Sequence, residues 1–227
     1  MRHFAEELEE LNQSLLEMSA LVESSLHTAV QALVERDDRM ARRVTEDEHL
    51  INRMELDLDA RVTRLLALNQ PVAGDLRFLV MCLKINTDLE RMGDLAVSIA
   101  ERSISLNALR EPEGHQQSLG QALIDTPRMA GLTEDMLHRA LDAFVKRDAS
   151  LAQGVLPSDD EVDEIRNRVY DDLIALMQRE PTLVPAAVSL MFVARNLERI
   201  ADHATNIAED VIYLVRGVDV RHHATET

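Results

Sequence analysis

A chain of 227 residues with 41 acidic and 24 basic side chains has a formal charge of −17, which repels nucleic-acid phosphates over most of its surface and argues against a DNA or RNA partner. Seven glycines, six prolines and 3% aromatics, in a background of Leu, Ala, Glu, Arg, Met and Val, favour helix throughout and leave no strand to read. An acidic start, and no apolar run approaching the roughly 20 residues that cross a bilayer, argue against a leader or a membrane span, so a cytoplasmic location is expected.

Leu8, Leu11, Leu15, Met18, Val22, Ser25 and Ala29 alternate steps of three and four, predicting a long first helix to about Glu35 with one buried seam. A second runs from about Asp38 to Asn69-Gln70 on Ile51, Met54, Leu58, Val62 and Leu65, and Pro71 is expected to open a third. The lone Cys82 falls among apolar neighbours of that third helix and reads as a buried structural thiol. Glu111-Pro112-Glu113-Gly114 interrupts the pattern near the midpoint and marks a domain boundary. A fourth helix then covers Leu119 to Lys146 and a fifth runs to about Arg179, kinked or restarted at Pro157. Pro181 precedes a sixth. The expected organisation is all-α: three antiparallel helices in residues 1–110, three more in 118–217, and a frayed tail in 218–227 with His222 and His223 in solvent.

The third and sixth helices share a sequence. Leu89-Glu90-Arg91-Met92-Gly93-Asp94 returns as Leu197-Glu198-Arg199-Ile200-Ala201-Asp202, and aligning Lys84 to Ile104 with Phe192 to Ile212, 108 residues on, gives nine identities in 21 positions. The chain reads as a tandem duplication. Like charges at i and i+4 on a helix repel, so their repetition in both halves points to a bound cation. In the third helix Phe78, Cys82, Ile85, Leu89, Met92, Ala96 and Ile99 make the inward seam, while Glu90 and Asp94 lie on another face.

Hairpin levels add ligands. If the second and third helices turn near Gln70 and Pro71, Glu48 lies level with Asp94 and Asn52 with Glu90. A turn near Pro181 likewise sets Asp159 level with Asp202 or His203, and Asp163 with Glu198. Glu55 and Asp59 extend the first stripe as second-rank candidates. His203 is expected as a surface histidine rather than a ligand. Oxygen donors without thiolate suit Mg²⁺, Mn²⁺, Ca²⁺ or iron. The plain alternative is a solvated acidic face on a helical scaffold, and another is a metal-dependent phosphohydrolase. Against catalysis, the chain has one Glu-x-x-His, Glu46 to His49, where di-iron chemistry in a bundle wants two, and no glycine-rich phosphate loop. The apolar Val80, Leu83 and Val97 fit either three-helix packing or self-association as a homodimer.

These residues resemble the PhoU family of phosphate-signalling regulators over nearly the whole chain. The resemblance is carried by Glu48-x-x-Ile51-Asn52-x-Met54-Glu55-x-x-Leu58-Asp59, Asp75-Leu76-Arg77, Asp159-x-x-Val162-Asp163 and the two Leu-Glu-Arg-x-x-Asp motifs, the second followed by His203. It implies two repeated three-helix bundles, multinuclear iron or zinc clusters on the acidic pairs, and no enzymatic activity. It further implies an adaptor that is peripheral to the membrane through its partners, the phosphate transporter ATPase subunit and a sensor histidine kinase, and that restrains phosphate uptake and starvation signalling. Asn52 departs from a strict carboxylate pattern, and the second half has no acid at Arg166 or Tyr170 and lacks Asp-Leu-Arg. The two sites are therefore expected to differ in metal number or affinity.

Overall fold

The computed structural model describes residues 2–109, 120–218 and 220. Helices α1 (Arg2–Glu35), α2 (Asp38–Asn69) and α3 (Ala73–Ala108) form one antiparallel bundle. Helices α4 (Gly120–Lys146), α5 (Ala149–Gln153), α6 (Pro157–Arg179) and α7 (Val184–Arg216) form its repeat, with a 3₁₀ turn at Pro181–Leu183 before α7. Among the described residues every regular element is helical. The midpoint interruption at 111–114 and the histidines at 222 and 223 lie outside the described residues.

The duplication extends to the turns. Arg36 and Arg147 both close their helices in the left-handed conformation, at φ 54° and 50°. Each is followed by an aspartate whose side chain caps the next helix: Asp37 accepts from the amides of Arg39 and Met40, Asp148 from those of Ser150 and Leu151. Beyond that turn the repeats diverge. α2 runs unbroken, whereas its counterpart stops at Gly154 and restarts with Pro157 in the first turn of α6, where a missing N–H removes no bond. The Arg139 guanidinium donates to the Gly154 carbonyl exposed by this break. Pro71 does not open α3. That helix begins at Ala73 after an extended Val72, with Gln70 left-handed at φ 45°, so the proline shapes the turn instead.

The seams pack as their periodicity requires. The α1 positions from Leu11 to Ala29, the α3 seam from Phe78 to Ile99, and Ala186, Leu190, Val193, Leu197, Ile200, Ala204, Ile207 and Val211 of α7 are all buried. Cys82 is buried as expected, and loss of hydration pushes its thiol up to about 12. What the seams omit is the junction between repeats. α3 and α7 pack antiparallel against each other, with Lys84 Nζ on Asp210 at 3.1 Å and Asn196 Nδ2 donating to Ser98 Oγ at 2.9 Å. The Arg102 guanidinium lies 4.6 Å from the Phe192 ring centre. The same junction corrects the reading of His203, which is buried: its Nδ1 lies 2.9 Å from Asp88 Oδ1, and the two residues are 8% and 9% exposed. It is a structural pair between repeats. Val97 is buried, Leu83 half-buried and Val80 exposed.

Gly93 fixes how near α3 comes to α2. A Cβ there would stand 3.0 Å from Ile51 Cδ1 and 3.3 Å from Ile51 Cγ2. The corresponding positions of the second repeat hold Ala201 and Val162, which has no Cδ1. One methyl has moved across the helix pair. Gly93→Val is expected to cost about 1–3 kcal/mol by overpacking. Gly93→Ala combined with Ile51→Val reproduces the second repeat and should melt, by urea titration, far nearer the parent.

A candidate metal centre in each repeat

The α2–α3 approach sets one acidic group. Glu90 carries a carboxyl held above its usual range, first by burial, then by the charges of Asp94 and Glu55, with Glu48 adding and Arg91 opposing. The fold therefore brings Glu48, Glu55, Glu90 and Asp94, taken from two helices, into one field. Asn52 sits among them with its Oδ1 buried and without a hydrogen-bond partner among the described residues. That orphaned oxygen and the crowded carboxylates fit a hard or borderline cation. Asp59 stands apart from this group: its Oδ1 accepts from Asn86 Nδ2 at 3.3 Å, and the same nitrogen donates to the Glu55 carbonyl at 2.9 Å.

The second group joins α6 to α7. Asp202 is raised by burial first, then by Glu198 and Asp163, and opposed by His203 and Arg166. Asp159 is raised by burial, then by Asp202, while the Thr205 hydroxyl donates to its Oδ1 at 3.3 Å. The four carboxylates predicted from sequence, Asp159, Asp163, Glu198 and Asp202, thus share one field as well. Sequence reasoning missed what Arg166 does there. Standing where the first repeat has Glu55, it donates from Nη1 to Glu198 Oε1 at 2.8 Å and holds Nη2 3.3 Å from Asp163 Oδ1. This repeat carries its own cation.

Among the described residues no group of three or more His, Cys, Asp or Glu side chains is already arranged to hold a metal ion.

The raised groups set the sign of a pH effect. Glu90, Asp159 and Asp202 hold their protons more tightly folded than unfolded. Their stabilising contribution is full below the ordinary values of 4.5 for Glu and 3.8 for Asp, and is lost as pH rises through the raised folded values. In chelator, melting temperature is expected to fall as pH rises from the ordinary carboxylate range towards neutrality. Glu90→Gln should flatten that slope, and an unchanged slope in calorimetric melts would remove Glu90 from the account.

Comparison with known proteins identifies the family. The family model described as PhoU domain matches residues 15–103 and 126–211. A phosphate-specific transport system accessory protein PhoU homolog from Pseudomonas putida is 40% identical, over 97% of this chain and 84% of its own length. The crystal structure of PhoU from Pseudomonas aeruginosa superposes with a TM-score of 0.88 at 38% identity, covering 95% of this chain and 100% of that one. The phosphate transport system regulatory protein PhoU from Streptococcus pneumoniae gives 0.84 at 32%, covering 96% and 99%. With both repeats matched and the duplicated acidic helix pairs in place, the chain belongs to the PhoU family.

Proposed function

We propose that the chain is a metal-binding regulatory adaptor of a phosphate-specific transport system, contacting the transporter's ATPase subunit and a sensor histidine kinase and restraining both when phosphate is plentiful. The observation that carries this reading is the similarity, over 97% of the chain, to a protein named as an accessory of such a system. The name of the Streptococcus pneumoniae structure, a regulatory protein, supports the regulatory half. No helix of the described residues is long and apolar enough to cross a membrane, so contact with a membrane transporter runs through the partner's own exposed domain.

In this reading Glu48, Asn52, Glu55, Glu90 and Asp94 hold ions in the first repeat, with Asp59 at the rim, and Asp159, Asp163, Glu198 and Asp202 do so in the second. Iron or zinc follows from the family resemblance, and the oxygen-rich donors also suit Mg²⁺ or Mn²⁺. Bound cations would reverse the local field of a strongly acidic chain and let the face accept phosphate or acidic partner groups. The reading assigns binding, not turnover.

The test is calorimetric titration of purified, metal-loaded protein with the isolated ATPase subunit and the kinase cytoplasmic domain. Micromolar binding that weakens in Glu90→Gln/Asp94→Asn is expected. Absence of binding to either partner, with and without metal and phosphate, overturns it.

A further inference from the structure

A second motif, outside the acidic groups, also occurs in both halves. Glu23-x-x-x-His27 in α1 returns 111 residues later as Glu134-x-x-x-His138 in α4. These helices pack against each other across the junction between repeats. They run antiparallel there, because Glu23 pairs with His138 and His27 with Glu134. His27 Nδ1 lies 3.5 Å from Glu134 Oε1, and His138 Nδ1 lies 3.8 Å from Glu23 Oε1. The four side chains make the corners of a rectangle with carboxylate and imidazole alternating around it. On each helix the spacing of four residues places both donors on one face.

We propose that Glu23, His27, Glu134 and His138 form a zinc-type cation site that clamps the two repeats together, separate in place and in donor chemistry from the acidic groups on α2–α3 and α6–α7. Two imidazole nitrogens with two carboxylate oxygens are the donor set of a four-coordinate, borderline ion such as Zn²⁺ or Co²⁺, not of Mg²⁺ or Ca²⁺. The imidazoles can reach a shared ion at small cost, since the His27 and His138 side chains are 68% and 74% exposed. They now pair one to one with the carboxylates, and no three of the four donors converge on one point, so ion binding requires both rings to turn from these contacts towards the space between them.

The carboxylates also favour a cation. Both lie half-buried, and burial raises Glu23 and Glu134 above the usual range, opposed by His138 and His27 respectively, with Glu23 further raising Glu134. Access exists beside the rectangle, where a cleft of about 310 Å³ between α1 and α4 is lined by His27 and Glu134 together with Val30, Val34, Pro127 and Ala130. Because one ligand pair comes from each repeat, the ion would resist their separation.

The test uses full-length protein carrying Glu90→Gln, Asp94→Asn, Glu198→Gln and Asp202→Asn, which silences the acidic groups, and His222→Ala with His223→Ala, which removes the tail histidines. Co²⁺ is added as a spectroscopic probe and Zn²⁺ as competitor. The expected results are a tetrahedral Co²⁺ absorption displaced by Zn²⁺ but not by Mg²⁺, Zn²⁺-dependent shifts of the His27 and His138 ring resonances, and a higher melting temperature with Zn²⁺. His27→Ala/His138→Ala should weaken Co²⁺ binding more than the roughly 100-fold that loss of a mere supporting group costs. Glu23→Gln/Glu134→Gln should do the same without removing an imidazole, which guards against a folding defect in either variant. Co²⁺ absorption that persists in both variants, or no tetrahedral absorption in the starting protein, overturns the proposal.

Discussion

His203→Ala is expected to destabilise the chain by about 3 kcal/mol, more than any surface change considered above. The reason is the asymmetry of the buried pair. Asp88 and His203 are each less than a tenth exposed, so water screens their contact weakly. Without the imidazole, the Asp88 carboxylate stays at the α3–α7 junction with one donor fewer. The opposite deletion, Asp88→Ala, leaves a ring nitrogen without its partner and should cost nearer 1–2 kcal/mol. Lys84 and Asp88 line one cleft, so the amine that holds Asp210 is placed to take up part of the loss. Urea unfolding of both single variants and the double variant measures the pair directly. Coupling of about 1 kcal/mol or more is expected, and additive single effects would mean that the 2.9 Å contact contributes nothing to stability. Because the pair joins the repeats, its loss should also broaden the transition as the two bundles begin to unfold independently.

His203 also shows where a one-dimensional reading stops. Apolar periodicity marks the face that each helix turns towards its own hairpin, and those faces pack as read: the α3 seam from Phe78 to Ile99 and the α7 seam from Ala186 to Val211 are buried throughout. Hairpin levels were legible for a similar reason, since a short turn fixes which residues of two antiparallel helices meet. Glu48 accordingly enters the field of Glu90 and Asp94, whereas Glu55, second-rank because its level on α3 holds no acid, acts on Glu90 more strongly than Glu48 does. Contacts between repeats leave no such trace. Asp88 of α3, and Asn196, His203 and Asp210 of α7, are polar yet buried, and polarity alone reads as solvent. Glu23 and His27 recur in the sequence as Glu134 and His138, a repeat that apolar periodicity does not pick out, and only the packing of α1 on α4 makes them a quartet. Arg166 was seen as a missing acid. That it reaches back to two of the remaining acids depends on a side-chain direction that helical phase does not supply. Pro157 was legible because its missing N–H acts locally, and it begins a new helix as its chemistry requires.

Arg166→Glu should convert the second acidic group into a likeness of the first and raise the number of ions the chain holds. In the parent the guanidinium carries a permanent charge, since it does not deprotonate in proteins, and it lies between Asp163 and Glu198 at hydrogen-bonding distances. An incoming cation must displace this charge or bind beside it. The substitution removes one positive charge and adds one negative, at the position where the first repeat has Glu55. At a separation of about 5 Å and surface-like screening, each unit charge is worth roughly 1–3 kcal/mol to an ion, so a tightening of roughly tenfold or more is expected. The metal-free variant pays the opposite sign. It loses two charge-assisted contacts, discounted to about 1 kcal/mol because Arg166 is partly exposed, and gains a repulsive carboxylate. The signature is thus a lower melting temperature in chelator and a larger rise on adding metal, with more metal per chain by elemental analysis after reconstitution. Glu55→Arg supplies the mirror test in the first repeat, where a new guanidinium beside Glu48 and Glu90 should reduce metal content and raise the metal-free melting temperature. If metal content is the same in parent, Arg166→Glu and Glu55→Arg, the guanidinium does not compete for the cation position, and the two acidic groups differ in sequence without differing in occupancy.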